Sequence, residues 1–123
     1  MIVEKFNKIS YLLEVTYSDN VSAKEIIDYI KATKENNEYP RILKIISDAK
    51  KATFNFSIEE LEQIVKENYK SLEKYNKIID AIIVDNPKNT VLTVLYKRFF
   101  NTEKYKFEIF ATKEAALKWL SLW

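Results

Sequence analysis

The chain has 123 residues, 47% of them hydrophobic, with 20 basic against 18 acidic side chains. That length builds one domain, and a net charge of +2 provides no basic field for a nucleic acid or an anionic membrane. Cysteine, histidine and glycine are all absent, which excludes disulfides, thiol or imidazole catalysis, His- or Cys-ligated metals and the glycine-rich phosphate loops.

Met1-Ile2-Val3-Glu4-Lys5-Phe6 has no apolar run of signal-peptide length. The longest apolar run, Ile78-Ile79-Asp80-Ala81-Ile82-Ile83-Val84, is interrupted by an acid and falls far short of the ~20 residues of a membrane span. A cytoplasmic protein without a membrane span is the expectation. Phe6-Asn7-Lys8-Ile9 and Tyr11 to Tyr17 read as two short strands forming a hairpin, although no Asn-Gly pair marks the corner. Ser18-Asp19-Asn20 then breaks the pattern.

Ser22 and Glu25 form a capping box, followed by Ala23, Ile26, Ile27 and Ile30 at helical spacing. This helix fades at Asn36-Asn37, before Pro40. Ile42 to Ile46 is a buried strand that ends at Ser47-Asp48. A second capping box, Ser57 and Glu60, opens a helix with Leu61, Ile64, Val65, Leu72 and Tyr75 on one face. Lys77 to Val84 is β-rich and stops at Asp85-Asn86-Pro87. Val91 to Tyr96 has strand-like composition, yet Leu92, Leu95, Tyr96 and Phe99 mark one helical face. Helix is favoured, because a strand there would leave two adjacent strands without a crossover. Tyr105 to Phe110 alternates as a strand, and Thr112 caps a last helix carrying Ala116, Trp119 and Leu120.

The order β-β-α-β-α-β-α-β-α calls for an α/β sandwich over residues 1–123. Its sheet is mixed and mostly parallel, with an N-terminal antiparallel hairpin and four helices. Helices that sheathe the sheet closely are expected to leave little reactive functionality inside.

Several segments carry a resemblance to a known family. They are Ile46-Ser47-Asp48-Ala49, the helix opening Phe56-Ser57-Ile58-Glu59-Glu60-Leu61, the strand and turn Ala81 to Pro87, and the closing run Phe110 to Leu120. From about Ile9 to Leu120 the chain resembles the SpoIIAA-like branch of the STAS/SEC14 domain family. The resemblance implies a domain used in regulation, partner binding or, in distant relatives, lipid handling. It also places Ser57 where anti-sigma-factor antagonists carry a phosphorylated serine. Their pattern has Asp-Ser followed shortly by Gly, whereas here Phe56-Ser57 precedes Ile58-Glu59-Glu60. A phosphate on Ser57 would gain from the helix N-terminus but sit against Glu59 and Glu60.

Ligands of open α/β sheets gather beyond the carboxyl ends of parallel strands. On this reading those ends supply Asp48, Lys50 and Lys51, then Asp85, Asn86 and Asn89, then Thr112, with amide acceptance in turns as the structural alternative for the two acids. An apolar pocket between the sheet and the third helix would use Leu92, Leu95, Tyr96 and Phe99. Eight Tyr, seven Phe and two Trp raise the question of base stacking. Tyr96-Lys97-Arg98-Phe99-Phe100 is the closest approach to basic charge interleaved with rings, and its charges read as a solvated helix face, so nucleic acid is not expected. Trp119 should dock on the sheet, and Trp123 is an interface candidate. The expected function is a non-enzymatic STAS-like module without cofactor or metal, binding a protein partner or itself. The alternative is a small apolar ligand or a lipid.

Overall fold

The computed structural model describes residues 1–100 and 102–123. Strands β1 (Ile2–Asn7), β2 (Leu12–Val21), β3 (Ile42–Phe54), β4 (Lys77–Ile83) and β5 (Tyr105–Phe110) alternate with helices after the first hairpin. The helices are α1 (Ala23–Glu35), α2 (Ile58–Ser71), α3 (Pro87–Phe99) and α4 (Lys113–Leu120). The sheet runs β1-β2-β3-β4-β5, antiparallel between the first two strands and parallel thereafter. When spatial order follows chain order and crossovers share one hand, the connecting helices fall on one face. Accordingly α1, α2 and α3 cover one face, and α4 packs on the other against Ile46, Ile79, Ala81 and Ile83.

Local chemistry explains each boundary. Ser22, Ser57, Asn86 and Thr112 all accept an amide in the first turn of the helix that follows. The hairpin corner lacks Asn-Gly but is held by Asn7, whose Oδ1 accepts the N–H groups of Ile9 and Ser10 at 2.9 and 3.1 Å. Tyr11 closes that corner at φ 59°, a left-handed conformation that a glycine would adopt without strain.

The strands differ from the sequence reading in several places: β1 covers Ile2–Asn7 and not Phe6 to Ile9, with Ile9 in the hairpin corner, and two later strands run on past their expected ends. Ser18-Asp19-Asn20 does not stop β2, which continues to Val21 with Asp19 at φ 60°. Likewise β3 does not stop at Asp48 but runs on to Phe54, and Ser18 to Val21 pair with Lys51 to Phe54. A register shift accounts for both: Thr16 pairs Asp48 but Ser18 pairs Lys51, so β3 carries an extra residue. The bulge moves the core-facing set from Leu43, Ile45, Ser47 and Ala49 to Ala52 and Phe54, which hides the period-two pattern. Helix α3 forms where strand-like composition left the choice open, and it supplies the crossover that parallel β4 and β5 require.

Candidate functional site

Between the three-helix layer and the sheet lies a cavity of about 80 Å3. Its walls are mostly apolar: Ile26 and Ile30 of α1, Leu61 and Ile64 of α2, Leu92 of α3, and Ile45 and Ile82 of the sheet. One water needs ~10–15 Å3 of such space, so there is room for several waters or one small organic molecule.

The sheet side of the cavity carries Asp80. β4 alternates, so Ile79, Ala81 and Ile83 face α4 while Ile78, Asp80 and Ile82 face the three-helix layer. Asp80 is paired in register with Ile45 and Phe107, and its polar partners sit on the same two strands. Ser47 Oγ donates to Asp80 Oδ1 at 2.9 Å, and the Tyr105 hydroxyl donates to Oδ2 at 3.1 Å. Asp80 as a residue is half-buried, and it lines the cavity. Burial pushes its pKa up from 3.8 to about 6, against the hydrogen bonds from Ser47 and Tyr105, which hold it down.

Aromatic rings flank Asp80 on both sides. Tyr17 stands edge-on to Tyr29 and to Phe54, with centroids 6.3 and 5.9 Å apart. Across the cavity Tyr96 meets Phe107 at 4.9 Å and Tyr105 at 6.2 Å. Burial raises the pKa of all four tyrosines, and the negative charge of Asp80 adds to the shift in each. They stay neutral hydroxyls near neutral pH. Asn68 of α2 donates to the Tyr96 hydroxyl, tying that ring to the second helix.

The residues singled out from sequence divide among several places. Leu92 and Tyr96 line the cavity, whereas Leu95 packs against the core elsewhere and Phe99 is exposed. The inward face of α3 is Asn89, Leu92, Thr93 and Tyr96, rotated from the purely apolar choice because two of its four members are polar. Asp48 does not lie at a strand end. It sits beside the β3 bulge, where its Oδ1 accepts the N–H of Lys50 at 3.1 Å. Lys50 and Lys51 are exposed there. Asp85 is exposed past β4, and Asn86 caps α3 by accepting the N–H of Asn89 at 2.9 Å. Asn89 is fully buried and bonded to the backbone of β3. Ser57 is exposed at the start of α2 and completes its capping box with Glu60. Trp119 packs against Phe110 on the α4 face, while Trp123 stands half-exposed with Lys77 Nζ 4.7 Å from its ring centroid.

The sequence reading missed Asp80, Ser47, Tyr17, Tyr29 and Tyr105 as a group, and Asp80 is the one carboxylate in the lining of the interior cavity among the described residues. One local signal was present: an acid in a strand whose neighbours on both faces are apolar.

No family model matches the chain, and no curated protein matches its sequence. The architecture is similar to the crystal structure of an uncharacterized protein of the DUF3478 family with a SpoIIAA-like fold, from Shewanella loihica PV-4. The two share 15% identity with a TM-score of 0.61, over 98% of this chain and 92% of that one. The fold is therefore SpoIIAA-like, and the resemblance in the sequence holds at the level of fold. Among the described residues, no helix is long and apolar enough to cross a membrane.

Proposed function

We propose that this STAS-type domain is a non-enzymatic binding module that holds a small, largely apolar ligand beneath α1, α2 and α3. The carrying observation is the cavity itself, a space with mostly apolar walls and polar groups contributed by both the sheet and the helices, Asp80 among them. Ligand sites commonly have that composition, whereas a core serving stability alone is close-packed. The volume suits a short-chain molecule and not a full-length lipid tail. A non-enzymatic role is supported by the lining, in which Asp80 is the single carboxylate among the described residues, with no Lys or Arg opposite it.

Native mass spectrometry of freshly purified protein, followed by a thermal-shift screen of small apolar compounds, tests this reading. A compound that raises the melting temperature of the wild-type protein but not of Ile64→Phe, which narrows the cavity, supports it. Protein that emerges empty and gains no stability from any compound overturns it.

A second reading, a protein partner or self-association, is favoured by exposed apolar side chains where the parallel strands begin. Ile9 and Tyr11 at the hairpin corner, Ile42, Leu122 and Trp123 are all exposed at that end. Sedimentation of the wild-type chain beside a Trp123→Ala, Ile9→Ser variant separates an associating surface from scattered exposure. Identical monomeric behaviour of both chains would remove self-association.

A further inference from the structure

An apolar ligand alone leaves Asp80 without a role, and the carboxyl is costly where it stands. An ionised carboxylate taken out of water is penalised by several kcal/mol unless a charge or strong donors compensate it. Its two bonded donors, Ser47 and Tyr105, are neutral hydroxyls. A carboxylate offers about four lone-pair directions, so about two remain unused. Asp80 belongs to none of the ion pairs among the described residues, and no described lining residue is Lys or Arg.

The rings supply the complementary half. The faces of aromatic rings carry negative potential and attract cations. Tyr17 and Tyr29 on one side, and Tyr96, Tyr105 and Phe107 on the other, give the cavity several such rings around one acid. An anionic ligand would be repelled by Asp80. A neutral one would leave the carboxylate uncompensated.

Resting on the cavity reading above, we infer that the ligand is a small primary alkylammonium. Its N–H groups meet the unused lone pairs of Asp80, and its alkyl body lies against the surrounding tyrosine rings. Burial already lifts the Asp80 pKa to about 6, so a bound cation has an acid to hold in its charged form near neutral pH. The other titratable groups facing Asp80 are Tyr17 of β2, Tyr29 of α1, Tyr96 of α3 and Tyr105 of β5. All four are pushed toward neutrality, and α2 contributes only Asn68 and Ser71 as polar lining, so Asp80 sets the pH response.

The test compares n-butylammonium with 1-butanol, a neutral molecule with the same number of heavy atoms, by titration calorimetry on the full chain near pH 8 and near pH 5. Expected is binding of the amine about tenfold or more tighter than the alcohol near pH 8, tenfold being the effect of ~1.4 kcal/mol. The preference should shrink near pH 5, where Asp80 takes up a proton, and vanish in Asp80→Asn. Equal binding of amine and alcohol overturns this inference and leaves the apolar-cavity reading standing. Binding of neither overturns both. The comparison on the wild-type chain decides the matter even if Asp80→Asn does not fold.

Discussion

The side-chain amide of Asn89 completes the sheet beside Phe54. Its Oδ1 accepts the Phe54 N–H at 2.9 Å, while its Nδ2 donates to the carbonyl of Ala52, also at 2.9 Å. β4 pairs β3 only as far as Asp48, so the last residues of β3 lack a strand on that side. Asn89, wholly buried at the start of α3, supplies the hydrogen bonds a further strand would have made. Asn89→Ala should therefore cost about 3 kcal/mol in urea unfolding, since two buried backbone groups lose their partner and a gap is left. Asn89→Asp keeps the acceptor but turns an oxygen toward the Ala52 carbonyl. That variant should be least stable near neutral pH and recover as acid protonates the new carboxyl.

Asp80 gives a stability signature whose sign is opposite to that of most carboxylates. Its folded pKa lies at about 6 against an ordinary 3.8, so between those values the folded chain holds a proton that the unfolded chain has lost. Stability contributed by the protonated acid is thus present at low pH, declines as pH rises through that window, and is flat above it. The drop is on the order of 2–3 kcal/mol. Asp80→Asn has no such loss, so its unfolding free energy should exceed that of wild type near pH 7.5 and approach it near pH 4. Denaturant titrations at both pH values measure this, and parallel pH curves for the two proteins would refute the shifted acid.

Ser57 is a helix cap by its hydrogen bonds, and its hydroxyl also donates to Glu60 Oε1 at 3.3 Å. Ser57→Ala should cost about 1 kcal/mol, the usual value of a lost N-cap. Ser57→Asp retains an acceptor for the Glu60 N–H but faces the Glu60 carboxylate. Its expected stability lies between wild type and the alanine variant, and higher salt should bring it closer to wild type by screening that repulsion. A phosphate at this position would break the capping box by the same repulsion. Thermal unfolding of the three proteins at low and high salt orders them.

What was legible in the sequence was local. Ser22, Ser57 and Thr112 announce helices because a cap and its amide lie three residues apart. The element order followed, and with it the sheet. The continuation of β3 was hidden because the bulge beside Asp48 shifts the alternation by one residue, and nothing in Asp48-Ala49-Lys50-Lys51 shows the shift without the partner strand. The inward face of α3 was misjudged at Leu95 and Phe99, since Asn89 and Thr93 are polar residues that satisfy their bonds internally. The cavity was out of reach for a different reason. Ser47 and Tyr105 lie 33 and 25 residues from Asp80 along the chain, and only the β3-β4-β5 register brings their hydroxyls to one carboxyl.

Those two hydroxyls offer a direct reading of the Asp80 environment. Each donates to the charged form and so holds the pKa below what burial alone would set. Tyr105→Phe removes one donor while keeping the ring that packs against Phe100 and Phe107. The Asp80 carboxyl, followed by its carbon chemical shift across a pH titration, should then titrate above the wild-type midpoint of about 6. Ser47→Ala should act in the same direction, and the double variant should move the midpoint further than either change alone. The pH at which the amine loses its advantage over the alcohol should rise in step, because the same proton competes with the ligand. A titration midpoint that stays in place in both variants would mean that Ser47 and Tyr105 do not control the acid.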